Sequence, residues 1–252
     1  TLNTSTNNFA AAVVITSGRN VAIIDENAID LGASTVSGTY AVTATAGGIS
    51  NSGNLVITGA ATFITTAADS NIILGQSGNA FASTVTMKAG DGTDEDFNNI
   101  TFVDTNAIRL HTSAASAGDL YINAETDGAV GGALSVTATN ADITQTVALD
   151  VTGTTTLAAG SSNDITLNTS TNNFATVVIT SGRNVAITDE DTIVLGAATV
   201  SGTYAVTATT GGITDSGTQE ITGVTTLVAG STNDITLNTS TNNFAAAVVI
   251  TS

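Results

Sequence analysis

The sequence predicts an all-β fold, a parallel β-solenoid, on three observations: a vocabulary of β-branched and turn residues, a long internal repeat, and unit lengths that differ by about one coil. TLNTSTNNFAAAVVITS runs from Thr1 to Ser17 and returns unchanged from Thr236 to Ser252. Seventeen identities in seventeen positions mark the same phase of a repeat. A window on a longer array is the expectation that follows.

The vocabulary comes first. Charged residues are 10% of the chain and aromatics 4%, with no Pro, Cys or Trp, whereas an ordinary globular domain is about 25% charged. Thr, Val and Ile fit a pleated surface, while Gly and Asn supply turns. A hydrophobic content of 42% argues against disorder, because a disordered chain has little to bury. So few aromatics predict a narrow core of small aliphatic side chains.

Four basic residues against twenty-one acidic ones give a net charge of −17, which repels phosphate backbones and anionic membrane surfaces. Nucleic acid is therefore excluded as an expected partner. FAAAVVI, Phe9 to Ile15, is the longest apolar run and is far short of a membrane span. Acidity with almost no Lys leans towards an extracellular setting.

The repeat carries the most information. DITLNTSTNNFA stands at Asp164 and again at Asp234, VITSGRNVAI at Val14 and Val178, and VSGTYAVTAT at Val36 and Val200. With Leu2, Leu74, Leu167 and Leu237 as equivalents, the units are 2–73, 74–166 and 167–236, and 237–252 begins the next. Their lengths are 72, 93 and 70 residues, which divide into three, four and three coils of about 23 residues, the size of a solenoid coil. A sandwich domain could not gain one coil so neatly, because its core closes on itself.

Nine short strands follow in order between Asp164 and Val228: DITL, VVIT, NVAI, TIVL, ATV, TYAVTA, GGIT, QEIT and TTLV. Each is punctuated by Gly, Asn, Asp or Ser, which gives about three strands per coil. Alternation points Ile165, Leu167, Val185, Ile187, Ile193, Leu195, Tyr204, Val206 and Ala208 inward. Thr166, Ala186, Val194, Ala205 and Thr207 face out. Stacked parallel coils rise about 4.8 Å each, so ten coils predict a rod about 48 Å long. Pro is absent because nearly every strand amide donates to the next coil. The NNF words at Asn7, Asn172 and Asn242 read as turns, where Asn tolerates left-handed backbone.

The stretch LGAATVSGTYAVTATTGGITDSGTQEITGVTTLVAGSTNDITLN, Leu195 to Asn238, resembles the β-strand repeats of filamentous haemagglutinin-like giant surface proteins of bacteria. The resemblance covers Thr1 to Leu74 and Ala133 to Ser252 well, and Gly75 to Gly132 loosely. It implies a secreted, right-handed parallel β-helix acting as an adhesin shaft or extracellular fibre, with no catalytic residues to carry over.

The remaining polar clusters hold the candidate chemistry. Asp91, Asp94, Glu95 and Asp96 lie in the Gly-rich GDGTDEDFNN, an oxygen cluster of the kind Ca2+ favours. They are the only metal-ligand candidates, although the spacing matches neither an EF-hand nor a calcium-binding β-roll, and a solvated acidic loop is the stronger reading. Asp25, Glu26 and Asp30 recur as Asp189, Glu190 and Asp191; a like-charged surface turn that keeps exposed sheets apart explains them best. Arg109 and His111 flank Leu110 on one outward face, with Asp104 nearby in sequence. That trio is the only enzyme candidate, and it lacks the supporting constellation a reaction needs.

The expected function is therefore structural, an extracellular or cell-surface fibre or shaft without catalysis. Expected partners are other copies, head to tail or side by side, and a host or neighbouring cell surface or its glycans, with no membrane insertion. Two alternatives stand beside it: an array of immunoglobulin-like adhesive domains stiffened by calcium, and a carbohydrate-active β-helix.

Overall fold

A computed structural model describes residues 1–91, 98–111, 119–122 and 130–251. Those residues form twenty-seven strands, numbered β1 to β27 in chain order, and no helix. The strands lie in one twelve-stranded and one fifteen-stranded sheet. Every strand pairing is parallel, the paired segments being successive turns of one chain, which is a β-solenoid. This arrangement overturns the alternative of immunoglobulin-like domains, whose sheets are antiparallel.

The sequence's alternation places the core. All nine residues predicted inward in the 165–208 stretch are buried, and the five predicted outward are half-exposed. The twelve-stranded sheet stacks β17 (Ile165–Leu167), β19 (Val185–Asp189), β21 (Tyr204–Ala208), β24 (Thr225–Val228) and β27 (Val248–Thr251). Ile165, Val185, Tyr204, Thr225 and Val248 are directly paired along it, at intervals of 20, 19, 21 and 23 residues. At about 4.8 Å per strand, twelve strands make a rod about 53 Å long.

Each coil crosses the second sheet on a bent path. β20 (Ile193–Val200) is continuous, yet its two halves pair with two separate strands, β22 (Ile213–Asp215) and β23 (Gln219–Ile221). One strand of the first sheet and two segments of the second give three strands per coil, as the sequence predicts. The coil itself is shorter than expected, about 21 residues rather than 23.

A 70-residue unit consequently holds about three and one third coils, not three. ITL at Ile165 belongs to the twelve-stranded sheet, whereas the same word at Ile235, in β25 (Ile235–Thr236), pairs with β22 in the other sheet. VVIT likewise lies in the fifteen-stranded sheet within β18 (Asn173–Gly182) and in the twelve-stranded sheet as β27. The reason is physical: stacking fixes the circumference of every coil, while an in-out alternating word ended by a turn fits any face.

The long middle unit departs in a second way. β13 (Asp119–Ile122) stacks between β10 (Val85–Lys88) and β12 (Ile108–His111), out of chain order. Ile108 to Ile143, one step along the sheet, therefore takes 35 residues instead of about 21. Parallel pairing persists through the region the repeat pattern fitted loosely, but the strand order is permuted.

The core also differs from a purely small aliphatic one. Tyr40, Phe63, Phe81 and Phe102 are fully buried and stack in sequence, with ring centroids 5.9, 6.1 and 5.2 Å apart. The first two pairs meet edge to face, the arrangement that aromatic quadrupoles favour. At one corner glycines stack on successive coils, as at Gly38 and Gly59 or Gly202 and Gly223.

Candidate functional site

The most elaborate polar chemistry in the molecule is internal, and the repeat generates it. Each unit has Leu, then Asn five residues on, then Phe two further: Leu2, Asn7 and Phe9; Leu74, Asn79 and Phe81; Leu167, Asn172 and Phe174. The chain turns tightly after the Leu, and the Asn side chain folds back under the turn. In the third copy, Asn172 Nδ2 donates to the carbonyls of Leu167 (3.3 Å) and Thr188 (3.0 Å). Asn172 Oδ1 accepts from Leu149 N–H at 2.9 Å, and the amides of Asn172 and Gln145 exchange two further bonds of 2.7 and 2.9 Å. Asn7 and Asn79 repeat this bracing, with Asn7 Nδ2 on the Leu2 and Ile24 carbonyls and Asn79 joined to Leu74, Leu55 and Asn51.

One coil later the same units place a buried carboxylate. Asp189 accepts Phe174 N–H at 2.7 Å on one oxygen and Asp191 N–H at 3.0 Å on the other. Asp25 does the same for Phe9 and Asn27, whereas Asp104 accepts the Phe81 and Asn106 N–H groups on one oxygen. All three are essentially without exposure, at 0% for Asp25 and Asp189 and 3% for Asp104. Burial pushes the Asp189 carboxyl up to about 6, against the lowering effect of the two amides, and raises Asp104 for the same reason.

These positions correct two expectations. Asp25 and Asp189 are not part of a solvated charged turn; only their neighbours Glu26, Glu190 and Asp191 are exposed, with Asp30 half-exposed. Backbone amides left unpaired where a strand begins are satisfied by the carboxylate, which is why it turns inward. The NNF asparagines are not left-handed either. Among the described residues the non-glycine positive φ angles belong to Asp69 and Asn140, and the first Asn of each NNF serves as a hydrogen-bonding brace. The Asn recurs five residues after the Leu in every copy and is legible in the sequence, whereas the Asp follows at 23, 30 and 22 residues and is not.

Other polar groups work at the rim. Arg183 forks onto Asp164 of the preceding coil with two bonds of 2.8 Å, and that contact first, with Asn184 assisting, holds the Asp164 carboxyl down at about 2. Burial acts to raise Asp215, but donors from Asn242, Asn238 and Thr239 outweigh it and its carboxyl is held low.

The trio of Asp104, Arg109 and His111 is not brought together. Arg109 and His111 do share the half-exposed outward face of β12, in the twelve-stranded sheet. Asp104 ends β11 (Ile100–Asp104) in the other sheet, with its carboxylate buried against the Phe81 and Asn106 amides. Of the four acidic metal candidates, Asp91 is exposed after β10, while Asp94, Glu95 and Asp96 lie outside the described residues. Among the described residues no cluster of three or more His, Asp or Glu is placed to hold a metal.

Fold and internal chemistry together define a repeat β-solenoid whose polar side chains brace one coil against the next. The family described as repeats of unknown function (DUF5649) matches residues 18–88, 98–181 and 182–251, and the chain belongs to it. No curated protein and no solved structure matches the chain.

Proposed function

We propose that this protein is a structural element, a rod-like extracellular shaft or fibre segment of a cell-surface protein, without a reaction of its own. The observation that carries the reading is the uninterrupted twelve-stranded parallel sheet, along which all three family repeats run as one body. A quasi-one-dimensional chain of this kind converts sequence length into reach. The extracellular placement and the adhesive role are supported by the likeness of Leu195–Asn238 to surface-protein repeats and by the acidity of the chain. Copies that continue the ladder or lie side by side, and surface glycans, are the partners that suit such a shaft.

Electron microscopy of the full-length native protein, with antibody labelling of intact cells, tests the proposal. Continuous rods with an axial rise of about 4.8 Å, labelled on unbroken cells, are expected. Beads separated by flexible joints would overturn the shaft, and labelling only after lysis would overturn the placement.

A further inference from the structure

The word NTS follows the Leu of three turns, as Asn3-Thr4-Ser5, Asn168-Thr169-Ser170 and Asn238-Thr239-Ser240. Each is an Asn-x-Ser/Thr acceptor for an N-linked sugar. In a chain this rich in Asn, Ser and Thr the motif alone says little, and the fold supplies the independent observation. One backbone bond closes the turn in every copy: Asn7 N–H donates to the Thr4 carbonyl at 3.1 Å, Asn172 N–H to Thr169 at 3.2 Å and Asn242 N–H to Thr239 at 3.0 Å. The bracing Asn thus pins the turn to the coils while the acceptor stands clear of them. Asn3, Asn168 and Asn238 are exposed, as are Ser5, Ser170 and Ser240 two residues on. Among the described residues none is hydrogen-bonded to the side-chain amide of Asn3, Asn168 or Asn238.

Two other places in the chain provide contrasts. In the middle unit the turn reads LGQSGN, Leu74 to Asn79, and has no acceptor. A fourth Asn-x-Thr, Asn99-Ile100-Thr101, lies in the ladder instead of on a turn. Ile100 and Thr101 of β11 are paired with Ile72 and Ile73 on one side and with Leu134 and Ser135 on the other. Asn99 Oδ1 accepts the Ala133 N–H at 2.8 Å, and Asn99 N–H donates to Asn71 Oδ1 at 2.7 Å. That segment cannot enter an enzyme's cleft without parting two coils, whereas the NTS turns can.

We propose that Asn168 and Asn238, and Asn3 with them, are N-glycosylation sites whose sugar donor is a glycosyl diphosphate. The bond that forms joins C1 of the sugar to the Asn Nδ2. The bond that breaks joins C1 to the diphosphate, which leaves with the electron pair, and the Nδ2 proton passes to a base of the transferase. Asn168 follows β17 of the twelve-stranded sheet and Asn238 follows β25 of the other, so the sugars leave the rod from two faces. The inference rests on the surface placement proposed above, because that route brings a chain to glycosylating enzymes.

Mass spectrometry of peptides from the native protein, purified from its own cells, tests the assignment, with electron-transfer fragmentation to place the sugar on a side chain. Asn168 and Asn238 are expected to carry sugar and Asn99 to be bare. Returned to the same cells, Asn168→Gln and Ser170→Ala are each expected to abolish modification at position 168 with circular dichroism unchanged, and Ser170→Thr to keep it. Bare Asn168 and Asn238 on protein that antibodies label on intact cells would overturn the sites and leave the placement standing; modified protein labelled only after lysis would do the reverse. Sugar on the Thr169 or Ser170 hydroxyl, sugar persisting on Asn168 in Ser170→Ala, or equal occupancy of Asn99 would also overturn the assignment. Transfer from a nucleotide sugar by a membrane-free cell extract identifies a nucleotide-borne donor, transfer that requires the membrane fraction identifies a lipid-borne one, and either supports the sites.

Discussion

Asp189 shows how much one residue contributes to a coil. Its carboxyl titrates near 6 in the folded protein, above the unfolded value of about 3.9. A raised folded value means the native state holds the proton more tightly, so the contribution is complete below about pH 4 and is lost as pH rises through about 6. Two pH units correspond to about 3 kcal/mol. Urea unfolding is expected to show that the parent loses stability as pH rises from about 4 to about 6, and that Asp189→Asn reduces this loss whatever its absolute level, leaving the part that Asp104 contributes. Asp164 acts with the opposite sign: held at about 2, it loses its contribution as pH falls below about 4. The effect is small because the Arg183 pair is largely exposed. Asn172 is the neutral counterpart. Replacing it by Ala leaves the Leu149 N–H without its acceptor inside the rod and takes one bond from each end of the Gln145 amide, which keeps Val147 and Thr169. A loss of about 2–4 kcal/mol is expected by chemical denaturation.

At the scale of the element, the corner glycines set how closely coils approach. A Cβ on Gly59 would lie 2.5 Å from both the carbonyl carbon and the oxygen of Gly38, one coil away. Backbone cannot yield there without parting the ladder, so Gly59→Ala is expected to lower the thermal midpoint clearly, as is Gly223→Ala above Gly202. Gly75 is the matched comparison: the nearest atom its Cβ would meet is the Thr101 methyl at 4.0 Å. Gly75→Ala is expected to be neutral or slightly stabilising, since alanine has less freedom to lose on folding. Differential scanning calorimetry of the three variants separates these outcomes. Strand positions were legible in the sequence because period-two alternation survives in words as short as ITL and VAI. The close glycine approaches were not, because they join residues about 21 apart whose meeting depends on the coil length.

For the whole molecule, the coil rather than the 70-residue unit is the module that can be added or removed. Excising residues 185–203 joins Asn184 to Tyr204, bringing β17 against β21 and β18 against β22 in the registers they already use. The shortened chain is expected to unfold cooperatively, with a midpoint close to the parent, because stability in a solenoid is summed over nearest neighbours. Excising residues 185–194 removes half a coil and is expected to abolish cooperative unfolding. Circular dichroism melts of the two deletions check this. The same arithmetic turns the 70-residue unit about a third of a turn relative to the next copy, so the Ile165 word and its Ile235 copy lie in different sheets, whereas the equivalent Tyr40 and Tyr204, 164 residues apart, return to the same sheet.

By itself the sequence determined the class of fold, the inward and outward faces and the repetition. These depend on local alternation, β-branched residues and turn residues, which act over a few neighbours and are written in order along the chain. Only the tertiary structure decided the coil length, the rotation of identical words between sheets, the inward turn of Asp25, Asp104 and Asp189, and the insertion of β13 between β10 and β12. Each of these depends on which residues meet after one circuit of the core. That distance is fixed by stacking backbone on backbone around a common cross-section, a constraint that no local stretch of the chain contains.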